Sequence, residues 1–259
     1  VRPTLTERGA LKTQVEADPG VRAKLAALHT AFDTWWEAKA PRLAALAPPP
    51  SGGEGGGKSN DLLGTRDDLM AAFETALLPV GMLDRYQVTG TVAAWWDDID
   101  YDMRTLANQG FEGLVDSWTA SVRAAAEADG NGRNGGDPLA HPLVEHLLPG
   151  YLDKLDALAA RDAELKAEIA EGKRLQEDDE ADEDDVPTDE DLTEMRRERR
   201  RVRKERRALQ QAFMDRLEAA RAEVDADQAR ALVLAIERER LEAELARYAT
   251  EKQQALVEV

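Results

Sequence analysis

A glycine-rich segment near the start of the chain matches the pattern of a phosphate-binding loop. Residues 52–59 read GGEGGGKS, which satisfies G-x-x-x-x-G-K-[ST]. In such a loop Lys58 would reach the phosphates of a nucleotide and Ser59 would bind magnesium. The pattern requires a strand before the glycines, but residues 47–50 read APPP, and proline lacks the amide that a central strand donates. We therefore predict a Pro/Gly-rich linker here rather than a nucleotide site.

Two histidines and a glutamate form a second cluster that could do chemistry. His141, Glu145 and His146 fall within six residues. A helical zinc pair places its histidines four residues apart, whereas these two are five apart with Pro142 between them. We predict a helix entry with solvated histidines and assign no metal ligand here.

Four aspartates follow the Trp95–Trp96 pair and could in principle bind magnesium or exchange protons. They are Asp97, Asp98, Asp100 and Asp102. On a helix these positions point in different directions, so we predict that most of them are solvated. The sequence therefore assigns no catalytic, cofactor-binding or metal-binding residue to this chain, and the absence of cysteine excludes thiolate chemistry.

A basic run in the last third of the chain is the strongest candidate for ligand contact. Residues 196–207 hold nine cationic side chains in twelve positions. Helical spacing places four of them on one face, namely Arg196, Arg200, Arg203 and Arg207. Such a face could neutralise DNA phosphates, and its binding would then weaken steeply with salt. The alternative is that it is solvated or balanced by the acidic run 177–185, which holds eight acids in nine positions.

The composition limits which partners the whole chain can attract. Its 259 residues carry a net charge of −18, with 42% hydrophobic and 33% charged residues. A chain this acidic is repelled by nucleic acid, so any contact with DNA must come from a local basic patch. No apolar run reaches the roughly 18 to 20 residues of a membrane span. We expect a soluble, cytoplasmic protein without a membrane partner, and a fragment of a longer chain, because it begins at Val1 and ends in QALVEV without a helix stop signal.

Helical periodicity runs through most of the chain and predicts an all-α fold. We expect helical subdomains followed by a long, charged, coiled-coil-like helical hairpin. The tryptophan pairs at 35–36 and 95–96 could stack on bases, but their helical spacing among aliphatic residues favours core packing. The predicted segments are an N-terminal helical segment 1–47, the linker 48–60, a helical subdomain 61–128, a loop 129–138, and a helical arm and hairpin 139–259 with an acidic turn at 177–187.

Polar residues at helix starts define several of these boundaries. Thr65 and Asp68 have the spacing of a capping pair, which predicts a helix that begins near Thr65. Asp84, Thr188 and Asp225 are predicted to cap three further helices. Thr188 follows the acidic turn, so two long helices on either side of that turn are expected to run antiparallel.

The stretch LLPVGMLDRYQVTGTVAAWW at residues 77–96 resembles the segment that follows the catalytic domain in modification (M) subunits of type I restriction-modification systems. The resemblance continues through residues 100–118 and the later layout of helical arm, acidic interruption, basic helix and final helix. It implies a C-terminal helical region of a DNA adenine methyltransferase subunit, whose partner is the specificity (S) subunit. The parent subunit would use S-adenosylmethionine, but the family's Asn-Pro-Pro-aromatic motif and its glycine-rich cofactor loop are missing here, so no cofactor is expected in this fragment.

The final helix carries the candidate residues for a partner interface. They are Leu234, Leu241, Leu245 and Tyr248, which share helical spacing and could instead close the hairpin within the chain. Two functions therefore stay open: a non-catalytic assembly region of a methyltransferase subunit, with DNA contact through the basic helix, or a structural coiled-coil or adaptor protein without a nucleic-acid role.

Overall fold

The computed structural model describes residues 5–48, 62–130, 136–177 and 186–258. The predicted linker after Pro48, with its P-loop-like glycines, and nearly all of the acidic run lie outside the described residues. All regular secondary structure among these described residues is helical, which confirms the all-α prediction. The α-helices are α1 (Leu5–Ala17), α2 (Pro19–Ala44), α3 (Leu62–Leu77), α4 (Arg85–Gly130), α5 (Pro142–Leu147), α6 (Tyr151–Glu177), α7 (Asp189–Gln211), α8 (Phe213–Ala222) and α9 (Ala226–Glu258), and short 3₁₀ turns occupy Leu78–Val80 and Pro138–Ala140. No helix among these described residues is both long and apolar enough to cross a membrane.

The chain forms two compact units that do not follow its order. The first unit comprises Val1–Ser117 together with Asp225–Val259, and the second comprises Trp118–Val224. The sequence had grouped α9 with the hairpin, in a segment 139–259. The structure places α9 in the first unit instead, because its apolar residues Val233, Ile236 and Leu241 are buried there.

An aromatic cluster forms the centre of the first unit. Trp35 meets the ring of Phe73 edge-on, with centroids 4.9 Å apart, and Trp36 lies 6.5 Å from Trp95. Both tryptophans of each pair are buried, with Trp95 only 1% exposed. Core packing is therefore confirmed for these pairs, and they offer no face on which a base could stack.

The second unit contains the antiparallel hairpin of α6 and α7. Ion pairs join Lys154 to Glu205 and Arg161 to Glu198. Residue numbers increase along α6 as they decrease along α7, so the two helices are antiparallel. A separate apolar cluster supports the hairpin and consists of Val122, Val144, Tyr151, Leu155, Leu209, Phe213 and Leu217.

Most predicted helix caps are confirmed. Asp84 and Gln87 exchange backbone and side-chain hydrogen bonds, and Asp225 does the same with Gln228. Thr188 caps α7, and Asp191 returns the bond. These reciprocal bonds satisfy amides that the first helical turn leaves without partners.

One predicted cap is wrong. Helix α3 begins at Leu62, one turn before Thr65, and Thr65 is 1% exposed inside it. Asp68 does not bond back to Thr65; it pairs with Lys39 of α2, whose Nζ lies 2.9 Å from Oδ2. Tertiary packing of α3 on α2 therefore overrides the local capping pattern.

The longest helix of the predicted subdomain 61–128 contains a kink. Helix α4 passes through Gly110, whose φ of 74° and ψ of −174° are not helical. Positive φ is accessible to glycine without the steric cost that a Cβ imposes. The same helix extends to Gly130, into the segment that the sequence had interpreted as the loop 129–138.

Candidate nucleic-acid interface

The basic run lies on α7, between an acidic start and a polar end. Thr188 caps the helix, and its first turn carries three acids that favour the positive end of the helix dipole: Asp189, Glu190 and Asp191. Leu192 and Leu209 are its buried residues and fix which side faces the unit. The cations between them follow the helix on its other faces.

The two acids within the basic run both turn toward α6. Glu198 binds Arg161, with 2.9 Å between Oε1 and Nη2, and Glu205 binds Lys154, with 3.0 Å between Oε1 and Nζ. Because these carboxylates are engaged by cations of α6, they do not neutralise the outward arginines of α7. The helix is thereby divided into a mixed-charge face against α6 and a cationic face.

Four cations of α7 line one open groove. Arg200, Arg203, Lys204 and Arg207 surround a volume of about 410 Å³ together with Ala208 and Gln211. All four are exposed. No ion pair joins any of the four to a carboxylate among the described residues. Such a concentration of guanidinium groups suits phosphate or carboxylate ligands, which arginine can hold through two parallel hydrogen bonds.

The structure brings together three of the four arginines that the sequence singled out. Arg200, Arg203 and Arg207 line the groove, whereas Arg196 lies one turn earlier, is half-buried, and accepts a hydrogen bond on its carbonyl from Arg200 Nε at 3.2 Å. Lys204 was missed by the sequence analysis. Its position four residues after Arg200, only about 40° around the helix, was the available signal.

Acid-paired cations on the same helix mark the edge of this face. Arg199 Nε lies 2.7 Å from Asp162 Oδ1 of α6. Arg203 and Arg207 also border a second volume of about 200 Å³ that contains Asp162, Arg206 and Gln210. Arg199 is thus paired with an acid of α6 and not with the acidic run 177–185, nearly all of which lies outside the described residues.

The second unit offers no exposed ring for stacking on bases. Its aromatic residues are Trp118, Tyr151 and Phe213, and all three are at most 6% exposed. Binding to single strands without sequence preference usually relies on such rings. The groove can therefore contact a phosphate backbone, but it lacks a stacking platform.

The histidine cluster has a structural role. His141 Nδ1 accepts the amide of Leu143 at 3.1 Å and so caps α5, and its ring lies 5.7 Å from Trp118. His141 and His146 are half-buried, which corrects the expectation that they are solvated. No cluster of possible metal ligands occurs among the residues that the structure describes.

The four aspartates after Trp96 point in different directions, and most of them are accessible to solvent, as the helical spacing predicted. Asp97 and Asp98 are exposed, and Asp100 pairs with Arg104 at 2.8 Å. Asp102 is the exception, because its side chain is 13% exposed and binds Arg240 at 2.7 Å.

The predicted partner seam on α9 is partly occupied within the first unit. Leu241 and Leu245 are 0% and 1% exposed, while Leu234 and Tyr248 are half-buried. Tyr248 lies under the guanidinium of Arg247, 4.3 Å from its ring centre. Packing within the first unit accounts for the two buried leucines, so α9 does not close the hairpin, which was the alternative that the sequence left open.

Comparison of the chain with protein-family models, with curated proteins and with solved structures returns no match.

Proposed function

We propose that this chain is a non-catalytic helical assembly region that contacts the backbone of DNA through the groove of Arg200, Arg203, Lys204 and Arg207. The observation that carries the proposal is the separation of charge on α7, where both acids of the basic run bind α6 and the groove cations have no described carboxylate partner. In a chain with a net charge of −18, such a patch is the local attraction that contact with DNA would need.

Distance along α7 separates the groove from the acids of the first turn of that helix, Asp189, Glu190 and Asp191. At about 1.5 Å per residue, Arg203 lies about 18 Å beyond Asp191. This exceeds twice the screening length of about 8 Å at physiological salt. The acids of the first turn therefore have little electrostatic influence on Arg203, which supports its availability to an external polyanion.

The methyltransferase part of the proposal rests on the resemblance of residues 77–96 to M subunits. On that basis the chain would assemble with a specificity (S) subunit in the cytoplasm, and S-adenosylmethionine would bind elsewhere in the parent subunit. Contact with DNA would be independent of base sequence, because the groove cations match phosphates.

A salt titration of binding to a labelled duplex of mixed sequence tests the DNA contact. Four phosphate contacts predict a slope of log K against log salt of about −3 to −4, and about a hundredfold loss of affinity between 50 and 200 mM salt. Arg200→Glu/Arg203→Glu should abolish measurable binding. The matched control, Lys12→Glu/Arg104→Glu, makes the same charge change at exposed sites of the first unit and should retain at least half of the slope.

A structural coiled-coil or adaptor protein without a nucleic-acid role is the second candidate. The observation that favours it is the burial of Leu241 and Leu245 together with a hairpin that is closed by its own ion pairs. The same titration separates the two candidates. Absence of binding at low salt, or equal weakening by the groove variant and the control, would leave the structural role as the better account.

A further inference from the structure

A buried carboxyl group lies at the point where α9 is anchored in the first unit. Glu237 is 1% exposed, and its Oε1 lies 3.1 Å from Nη1 of Arg240. Its other oxygen, Oε2, is buried and has no hydrogen-bond partner among the described residues. A buried carboxylate with an unsatisfied oxygen is costly, because the desolvation of the charge is not recovered.

Arg240 is shared between two carboxyl groups. The same Nη1 that faces Glu237 lies 2.7 Å from Oδ2 of Asp102 on α4. If both acids were ionised, one guanidinium would have to balance two negative charges. Burial, opposed by Arg240 and reinforced by Asp102, raises the pKa of Glu237 to about 8. This pKa makes the neutral form of Glu237 the main one at pH 7, so the charge of Arg240 is balanced by Asp102.

Several charged groups of α1, α2 and α9, which pack together, have partners of their own. From α2, Asp33 pairs with Arg238 and His29 lies near Glu242, while from α1, Lys12 and Glu16 pair with each other. On α4, Trp95 Nε1 donates to the carbonyl of Glu237 at 3.0 Å. The same residue, Glu237, therefore links α9 to α4 through its backbone carbonyl. The charges that act on its side chain are those of Arg240 and Asp102.

We propose that Glu237 is a proton-dependent latch: its neutral acid keeps α9 docked in the first unit, and its ionisation favours release of the helix. This latch goes beyond the DNA contact and does not depend on it. Ionisation would place a second negative charge beside Asp102 in a buried site, and solvation of Glu237 in an opened α9 relieves that cost. Local opening of one helix without unfolding of the rest is an ordinary property of native proteins.

The direction of the pH effect follows from the proton that only the docked state retains. An exposed glutamate has a pKa near the reference value of 4.5, whereas docked Glu237 titrates at about 8. Between these values docking takes up a proton, so a rise in pH opposes docking. The opening equilibrium of α9 should increase about tenfold per pH unit in this window and become constant above it.

Release of α9 would also expose Leu241 and Leu245, which are buried when the helix is docked. These residues would then be free to meet a partner subunit. This step rests on the assembly role proposed above, whereas the latch itself stands on the geometry of Glu237, Arg240 and Asp102.

Hydrogen exchange of the full chain tests the latch. Peptides from α9 are followed between pH 6 and 8, with exchange corrected for its intrinsic pH dependence. In the wild type, protection of α9 should fall by about tenfold per pH unit, while α2 and α3 keep theirs. Glu237→Gln keeps the shape of the neutral acid and should remove the dependence. Glu251→Gln, an exposed acid on the same helix, should leave it unchanged.

Two results would overturn the proposal. One is an equal pH dependence of α9 exchange in the wild type and Glu237→Gln. The other is loss of protection in α2 and α3 together with α9, which would mean that the whole unit opens. A second variant, Asp102→Asn, keeps the latch testable if Glu237→Gln does not fold. Removal of the Asp102 carboxylate lowers the pKa of Glu237, so the pH dependence of α9 exchange should level off at a lower pH than in the wild type. An unchanged pH profile would count against the latch.

Discussion

Gly172 occupies a close contact near the turn end of the α6–α7 hairpin. It is buried, and a Cβ at this position would lie 2.7 Å from Cγ of Pro187 and 2.8 Å from Cδ2 of Leu192. A proline ring has few ways to move aside. Gly172 therefore allows α6 to pack closely against Pro187 and the start of α7. It does so although glycine weakens a helix by roughly 0.5 to 1 kcal/mol relative to alanine.

Replacement of Gly172 by alanine tests this contact. The gain in helix propensity of about 1 kcal/mol opposes an overpacking cost of about 1 to 3 kcal/mol, so Gly172→Ala should destabilise the hairpin by up to about 2 kcal/mol. Chemical unfolding followed by circular dichroism measures the change. Gly9→Ala is the matched control, because nothing lies within 4 Å of a Cβ there; it should be neutral or stabilising. A stabilised Gly172→Ala protein would refute the close contact.

Residues that act through neighbours in the sequence could be predicted, and residues that act through distant ones could not. The caps at Asp84, Thr188 and Asp225 depend on partners three residues away, so the sequence alone revealed them. Glu237 looked like one charge among many on α9. Asp102, more than a hundred positions earlier, shares Arg240 with it and helps to raise its pKa, and no local pattern carries that information.

At the scale of helices, the break between α7 and α8 has a specific support. Ala212 separates the helices, and Tyr151 from the start of α6 donates its hydroxyl to the carbonyl of Leu209 at 3.0 Å. Both residues are at most 6% exposed. Burial raises the pKa of Tyr151, with a smaller opposing effect of Arg216, so the hydroxyl keeps the proton that it donates. The bond ties the end of the groove-bearing helix to its hairpin partner.

Tyr151→Phe should therefore destabilise the second unit. The change leaves the ring in place and deprives the Leu209 carbonyl of a partner, which costs about 1 to 3 kcal/mol for a buried group. The free energy of unfolding, measured by denaturant titration, reports the loss. Tyr86→Phe makes the same chemical change at a side chain that is 90% exposed, and it should have no effect. Equal stabilities for the two variants would mean that the Tyr151 bond contributes nothing.

For α7 as an element, periodicity was enough to place the arginine face but not to show which cations stay available. The helical spacing of Arg200, Arg203 and Arg207 was visible in the sequence. The pairing of Glu198 and Glu205 with α6 was not, because it depends on the register of the hairpin. Helix α3 makes the same point, since packing against α2 overrides a capping pattern that was correct in spacing.

At the scale of the whole molecule, the order of the chain misled the prediction of its units. The sequence suggested that everything after residue 139 forms one arm, since charge-rich helical patterns follow one another there. The structure instead returns α9 to the first unit. The apolar stripe of α9 resembles that of a hairpin helix. The sequence therefore cannot show whether α9 packs on the hairpin or in the core of the first unit.

Truncation after Val224 tests this arrangement. It removes α9 and with it four side chains that are at most 1% exposed: Val233, Ile236, Leu241 and Leu245. At about 1.5 to 3 kcal/mol for each, these side chains supply a large share of the apolar burial that α9 brings to the first unit. Trp95, whose indole donates to the carbonyl of Glu237 on α9, should become exposed and shift its fluorescence to the red, while the helical circular dichroism of α2, α3 and the second unit persists. Deletion of residues 52–57 is the control and should change neither signal. Unshifted fluorescence after truncation would show that α9 does not cover Trp95.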